Sequence, residues 1–190
     1  MPQIILASAS PRRHELLNQI NVRHFVQTVE IDETPFFNEA PTNYVQRLAT
    51  EKAAACVQKF NPKIPVLAAD TAVVLGDKIM GKPTNENDAL TMLRLLSGRT
   101  HQVFTAIALV GRDNHAAISI TDVTFKNLSE TELRAYWRSG EPLDKAGSYA
   151  IQGQGSLFIE HINGSFSGVM GLPLFETAQL LAREGIELLT

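Results

Sequence analysis

A ten-residue run, VLAADTAVVL at Val66–Leu75, constrains the fold of this 190-residue chain more than any other segment. Apolar runs of this length that end at turn residues, here Gly76-Asp77, are typical of strands buried in a sheet. The run also contains one carboxylate, Asp70. Because an unpaired carboxylate is very costly to bury, Asp70 must lie at the edge of a cleft or meet a cation or a metal. A structural role, in which Asp70 caps a turn at the strand end, is the alternative.

Predicted strands and helices alternate along the chain, with no internal repeat and no long linker. Ser129 and Glu132 match a capping box at the start of one helix, and Gly98 is a typical stop for another. This order predicts an α/β or α+β fold around one twisted sheet, in which two lobes and a cleft are one arrangement, and a single domain at 1–190. Strands are predicted at about 3–8, 24–29, 66–75, 101–110, 116–126 and 156–162, and helices at about 11–20, 42–60, 86–97, 130–139 and 172–184.

The segment from Ser8 to Arg13 predicts an anion site. Ser10 is a plausible N-cap, and Pro11 suits the first helical position. Arg12 and Arg13 then fall in the first turn, where the helix end itself favours anions, so the segment suits a phosphate group. Alternatively, the two arginines only solvate a surface helix, although cations normally favour the opposite end.

Two lysines occupy positions that point to a specific role. Lys52 shares the apolar stripe of the predicted helix at 42–60 with Cys56, which we interpret as a small core residue. Its ammonium therefore either reaches water along the apolar surface or meets a buried anion. Pro83 restricts Lys82 to an extended backbone, which orients its side chain. A solvated turn lysine is equally consistent with that pattern.

A glycine-punctuated polar segment follows later, at 144–147 and 151–155. Glycines allow a backbone to approach a ligand closely, so Lys145 in this segment is a candidate for substrate binding. A flexible surface loop is the alternative. The histidines show no paired metal-ligand spacing, which argues against zinc. A metal held by carboxylates, water and substrate phosphates would instead be Mg²⁺ or Mn²⁺.

Composition excludes several classes of function. The formal net charge of −3 and the pI of about 5.9 argue against a nucleic-acid partner, although a local cationic pocket remains compatible with them. No segment approaches the roughly 20 apolar residues of a membrane span, and no targeting segment is visible. The single cysteine excludes an intramolecular disulfide and fits a reducing compartment. We therefore expect a cytosolic location.

Six short motifs in consistent order resemble the Maf family of nucleoside triphosphate pyrophosphatases along nearly the whole chain. The resemblance implies an α/β fold with a central elongated mixed sheet, a cleft between two lobes, and commonly a homodimer. It also implies hydrolysis of a nucleoside triphosphate between the α- and β-phosphates. The motifs are Leu6-Ala7-Ser8-Ala9-Ser10-Pro11-Arg12-Arg13, Ala69-Asp70-Thr71, Gly81-Lys82-Pro83, Ser97-Gly98-Arg99-Thr100-His101, Glu141-Pro142-Leu143-Asp144-Lys145-Ala146-Gly147 and Gly171-Leu172-Pro173-Leu174.

The resemblance also implies roles for individual residues. Asp70 corresponds to the family's catalytic acid, which activates water or acts through a metal, and Glu33 to a carboxylate near that metal. Lys52, Lys82 and Arg13 correspond to its characteristic cations. Positioned cations are what phosphoryl chemistry requires, because charge develops on the phosphate oxygens. The remaining correspondences are the loop hydroxyl of Ser8 and three base-selecting positions, Arg12, Thr71 and Gln152.

The base-selecting positions resemble the branch that hydrolyses dTTP and UTP. The branch that prefers 7-methyl-GTP carries Gln in place of Thr71 and Glu in place of Gln152. A glutamine amide can accept from N3–H and donate to O4 of thymine or uracil, whereas glutamate only accepts. The amide can also flip to bind cytosine, so CTP stays open. The alternatives to a dTTP/UTP pyrophosphatase are a 7-methyl-GTP pyrophosphatase and a non-enzymatic regulator of septum formation.

Overall fold

Seven strands and six α-helices alternate along residues 1–189, which are the residues that the computed structural model describes. Two short 3-10 helices, at Ala146–Ser148 and Gln154–Phe158, lie between the fourth α-helix and the last strand. The strands are β1 (Ile4–Leu6), β2 (His24–Val26), β3 (Val66–Leu75), β4 (Lys78–Met80), β5 (Thr100–Val110), β6 (Asn114–Phe125) and β7 (Ile159–Asn163). The helices are α1 (Pro11–Gln19), α2 (Pro41–Phe60), α3 (Glu86–Leu96), α4 (Glu130–Arg138), α5 (Phe166–Met170) and α6 (Leu174–Arg183).

All the strands belong to one mixed sheet in the order β2-β1-β3-β5-β6-β7, with β4 added to the end of β3. β1 runs parallel to β2 and β3, whereas the other neighbouring strands are antiparallel. The long strands β3, β5 and β6 form an elongated spine that continues through both lobes. The expectation of an α/β fold with a central elongated mixed sheet is therefore confirmed.

Three clusters of buried side chains build the two lobes. Near β1, helix α2 covers one face of the sheet, and helices α1 and α6 cover the other. Alternate side chains of β3 face the two layers, as a strand with both faces buried requires. At the far end of the spine, α3 and α4 pack with Met80, Phe125 and Tyr149 into a separate core. Cys56 is fully buried on α2, as its apolar neighbours predicted.

β3 lacks a neighbouring strand along part of one edge, and this gap creates the cleft. One edge pairs continuously with β5 from Val66 to Val74. The other pairs with β1 at Val66 and Leu67, and with β4 from Val73 to Leu75. Residues 68–72 therefore form an open edge of β3 within the described part of the chain. Because Asp70 and Thr71 project to opposite faces at this edge, groups from both layers can converge there.

The sequence patterns located the long elements and the short strands β1 and β2, but they missed two other short elements. β4 and α5 are too short to produce a periodic signal, and neither was predicted. The strand expected from 156 begins only at Ile159, because a 3-10 helix precedes it. The capping box of Ser129 and Glu132 is present. Ser10 occupies the N-cap position of α1, but its side chain makes no capping bond.

Among residues 1–189, no helix combines the length and the apolar composition that a membrane crossing needs.

Candidate active site

A cleft of about 950 Å³ lies at the open edge of β3, between the two lobes. It is bounded by the β1–α1 connection, the end of β4, the segment after α4 and the end of α5. Every residue that the sequence assigned to the site lines this cleft: Ser8, Arg12, Arg13, Glu33, Lys52, Asp70, Thr71, Lys82, Lys145 and Gln152. We call Arg13, Glu33, Lys52 and Asp70 the carboxylate side of the cleft, and Lys82, Lys145 and Gln152 the loop side.

The centre of the carboxylate side is a lysine held between two carboxylates. Lys52 Nζ lies 2.6 Å from Asp70 Oδ1 and 2.6 Å from Glu33 Oε1. Lys52 projects from α2 with 13% of its side chain exposed, and Asp70 is 7% exposed at the open edge of β3. Of the two possibilities for Lys52, the structure therefore shows an ammonium that meets a buried anion.

Arg13 approaches the same point from α1. Its guanidinium donates to Ser8 Oγ at 3.0 Å, to Thr71 Oγ1 at 3.2 Å and to the carbonyl oxygen of Gly171 at 2.8 Å. Ser8 Oγ also accepts from the backbone N–H of Ser10 at 3.2 Å. These bonds fix the direction of the guanidinium, and they leave the cation unpaired by any carboxylate within hydrogen-bond distance in the described residues. The guanidinium of Arg13 can therefore bind an anionic ligand.

Thr71 belongs to a chain of hydroxyl groups that reaches into the core. Thr105 on β5 lies directly across from Thr71, and it donates to the carbonyl oxygen of Gly168 at 2.8 Å. Because that bond uses the only Thr105 proton, Thr71 must donate to Thr105, at 2.9 Å, while it accepts from Arg13. The Thr71 hydroxyl consequently has only acceptor capacity left for a ligand. No sequence pattern indicated a role for Thr105.

The two carboxylates differ in their proton affinity. Burial raises the pKa of Asp70, and the nearby charges of Lys52 and Arg13 oppose that rise only in part. Burial also acts to raise the pKa of Glu33, but the hydrogen bond and charge of Lys52, together with Lys82 and Arg13, lower it overall. Titratable groups whose environments push their pKa values apart are typical of acid–base sites.

Arg47 holds the segment that carries Glu33 against α2. Its guanidinium makes a bidentate pair with Glu39, at 2.7 and 2.8 Å, and donates to the carbonyl oxygen of Thr34 at 3.2 Å. The Tyr44 hydroxyl donates to the carbonyl oxygen of Glu33 itself at 3.0 Å. Glu33 is thus presented from a loop that two side chains of α2 fasten.

The loop side has looser contacts. Lys82 and Gln152 are exposed and make no side-chain hydrogen bond within residues 1–189, and Lys145 Nζ donates only to the carbonyl oxygen of Leu143, at 3.0 Å. Burial lowers the pKa of Lys145, and the charge of Arg12 adds to this effect. Arg12 donates to the carbonyl oxygen of Met170 at 3.3 Å. These side chains can adjust to a ligand.

His101 and Tyr149 form a buried hydrogen-bonded pair next to the cleft. His101 Nε2 lies 2.9 Å from the hydroxyl of Tyr149, which lines the cleft, and the imidazole packs edge-on against Phe125. Burial lowers the pKa of His101 to about 4. The imidazole is therefore neutral at physiological pH and serves the core of this lobe.

The donor chemistry of Glu33 and Asp70 fits a divalent cation. Two carboxylates on one positive centre, completed by water and phosphate oxygens, suit Mg²⁺ or Mn²⁺. Among residues 1–189, no three His, Cys, Asp or Glu side chains come together in a way that could enclose a metal. Glu33 and Asp70 would supply two ligands, and substrate and water would supply the others.

Known proteins share the sequence pattern and the fold of this chain. The family described as Maf-like protein matches residues 3–184. A dTTP/UTP pyrophosphatase from Pasteurella multocida is 49% identical over 98% of this chain and 98% of its own length, and one from Myxococcus xanthus is 51% identical over 97% and 94%. The structure of a HAM1 protein from Coxiella burnetii has the same fold, with a TM-score of 0.55, 16% identity and coverage of 96% of this chain and 100% of that one. The chain therefore belongs to the Maf family.

Proposed function

We propose that this chain is a nucleoside triphosphate pyrophosphatase that hydrolyses dTTP and UTP to the monophosphate and pyrophosphate. The observation that carries the proposal is the contact of Lys52 with Asp70 at the open edge of β3, beside the guanidinium of Arg13. A buried acid next to several cations in one cleft suits hydrolysis of a polyphosphate. Two relatives that are about 50% identical to this chain carry the name dTTP/UTP pyrophosphatase, which supports the choice of substrate.

Asp70 is the general base in this mechanism. Lys52 engages Oδ1, and no donor in residues 1–189 engages Oδ2, so this second oxygen can accept the proton of the attacking water. The water attacks the α-phosphorus, and the bond to the bridging oxygen of pyrophosphate breaks. Lys52 also fixes the rotation of the carboxylate, which keeps the accepting oxygen in one place.

The cations of the cleft stabilise the charge on the phosphate oxygens. Arg13, held by Ser8 and Gly171, offers a fixed guanidinium to one phosphate. Lys82 and Lys145 can move to contact the leaving pyrophosphate and stabilise the negative charge that develops on it. Glu33 and Asp70 would hold a divalent cation, which when bound would act as a Lewis acid on the phosphate oxygens.

The base is selected by Arg12, Thr71 and Gln152 in this proposal. The hydroxyl of Thr71 can only accept, because its proton is donated to Thr105. The amide of Gln152 can accept from N3–H and donate to O4 of uracil or thymine. A mismatched base would leave these groups unpaired, which is how polar sites reject wrong substrates.

The test is pyrophosphate release from a panel of nucleoside triphosphates with Mg²⁺ or Mn²⁺. We expect the highest kcat/KM with dTTP and UTP. Inactivity on every triphosphate would refute the proposal, and a clear preference for 7-methyl-GTP would assign the chain to the other branch. Omitting the metal tests its requirement in the same assay.

Assembly and location complete the proposal. We expect a homodimer of single-domain protomers in the cytosol, with no nucleic-acid or membrane partner; the free, buried thiol of Cys56 supports a reducing compartment. Light scattering after gel filtration tests the dimer, and a single cooperative unfolding transition tests the single domain. Salt-dependent binding to duplex DNA would contradict the absence of a nucleic-acid partner.

A further inference from the structure

The carboxylate of Glu141, near the cleft, has no part in the proposed chemistry; it binds the Tyr136 hydroxyl on α4 and the backbone of the turn that follows Gln152. Glu141 Oε1 accepts from the hydroxyl of Tyr136 at 2.7 Å and from the backbone N–H of Gly155 at 2.9 Å. Glu141 Oε2 accepts from the backbone N–H of Gln154 at 2.8 Å. The carboxylate thus satisfies the first N–H groups of the 3-10 helix at Gln154–Phe158, which would otherwise lack partners.

Tyr136 extends this contact to the other end of the same turn. Its hydroxyl donates to Glu141 and accepts from the backbone N–H of Ala150 at 3.1 Å. Ala150 precedes Gln152 by two residues, and Gln154 follows it by two. One Glu–Tyr pair therefore fastens the backbone on both sides of Gln152, whose own side chain is exposed in the cleft.

The glycines of the turn allow the carboxylate to come this close. A Cβ on Gly153 would clash with the carboxylate of Glu141. A Cβ on Gly155 would lie 2.6 Å from the carbonyl oxygen of Ala150 and 2.8 Å from the Tyr136 hydroxyl. The glycine spacing of this segment thus serves the packing of the Glu141–Tyr136 pair beneath the turn.

We propose that Glu141, together with Tyr136, is a positioning residue that fixes the turn presenting Gln152 to the nucleotide base. This inference rests on the proposed function. Glu141 does not touch the substrate; it acts through the backbone of Gln154 and Gly155. A carboxylate is required, because its two oxygens accept from three donors at once. In Glu141→Gln one acceptor becomes an N–H₂ group, which faces an N–H donor instead of bonding to it.

The experiment compares base recognition with phosphate binding in the same variants. For Glu141→Gln, we expect the KM for UTP to rise about tenfold and the preference for UTP over GTP to shrink, since bonds to a charged group are lost. Inhibition by inorganic tripolyphosphate, which lacks a base, should keep its Ki. Tyr136→Phe removes a single oxygen and should produce a smaller change of the same kind. Glu160→Gln, at an exposed carboxylate on β7, is the matched control and should change neither constant.

A double mutant separates positioning from general stability. If Glu141 acts through Gln152, the increase in KM should largely disappear when Glu141→Gln is made in a Gln152→Ala background. An additive effect, an unchanged KM, or a parallel rise in the Ki of tripolyphosphate would overturn the inference. If Glu141→Gln does not fold, the same double-mutant cycle is measured with Tyr136→Phe and Gln152→Ala, and the same outcomes support or overturn the inference. Wild-type protein that hydrolyses no nucleoside triphosphate would instead refute the proposed function, and with it this inference.

Discussion

The carboxylate side and the loop side of the cleft are ordered in different ways. On the carboxylate side, the proposed functional groups bind one another directly: Lys52 bridges Asp70 and Glu33. On the loop side, Lys82 and Gln152 extend freely into the cleft, and behind Gln152 the carboxylate of Glu141 binds the backbone of the turn. Where charge must be placed accurately for chemistry, side chains hold side chains. On the loop side, where the base is proposed to bind, a fixed backbone carries adjustable side chains.

The largest effect should come from the acid at the centre of the carboxylate side. Asp70→Asn removes the proton acceptor but keeps the shape, so we expect kcat for UTP to fall by about 10²–10⁴-fold. Nucleotide binding, measured by calorimetry, should persist. The exposed Asp77→Asn on the β3–β4 turn is the control and should retain full activity. Substantial turnover in Asp70→Asn would show that another group accepts the proton.

The two lysines separate structural from catalytic contributions. Lys52→Ala leaves two carboxylates without their shared cation, so we expect roughly a 10²-fold loss of rate and a loss of about 3 kcal/mol in the free energy of unfolding. Lys82→Ala removes an exposed cation and should lower the rate about tenfold with stability essentially unchanged. Urea unfolding alongside steady-state kinetics measures both quantities. Equal stability losses would contradict the distinction between the two sides, and unchanged kinetics in both variants would refute the role of the cations.

Base selection should respond to a smaller, more specific change. The double variant Thr71→Gln with Gln152→Glu should reduce kcat/KM for dTTP and UTP by about tenfold or more, because glutamate cannot donate to O4. Thr105→Val is an informative companion, since it removes the acceptor that holds the proton of Thr71. Kinetics over the nucleotide panel measure the outcome. Undiminished pyrimidine preference in the double variant would show that these positions do not select the base.

The smallest effect on activity, and a distinct one on stability, is expected at His101. Burial lowers its pKa from 6.5 to about 4, so between these values the unfolded chain binds the proton and the folded chain does not. Stability contributed by the neutral imidazole is thus complete above pH 6.5, and it declines by about 3 kcal/mol as the pH falls to 4. His101→Gln should flatten this part of the stability curve, measured by urea unfolding. The control His161→Gln, at an exposed residue of β7, should have the same dependence of stability on pH as the wild type. If His101→Gln also has the wild-type dependence, His101 is not its source.

Sequence reasoning succeeded where a single residue broke a strong local pattern. Asp70 interrupts an apolar strand and Lys52 interrupts an apolar stripe, and the two prove to be partners 2.6 Å apart. It missed Arg47, Thr105 and Glu141, which hold site residues in place. Arg47 reads as an ordinary surface arginine of a helix, and Thr105 as one more residue of a strand. Glu141 begins one of the family motifs, but the motif does not indicate its role, because the partners of all three residues are fixed only by the fold.

The amino-acid sequence alone determined the alternation of strands and helices, the family resemblance and the set of residues around the cleft. Local propensities and short motifs carry that information, because each depends on neighbours within a few residues. Only the tertiary structure decided that β3 lacks a partner at 68–72, that Lys52 lies between two carboxylates and that Thr71 can only accept. These features depend on strand register and on contacts between distant segments, which are fixed when the chain packs as a whole.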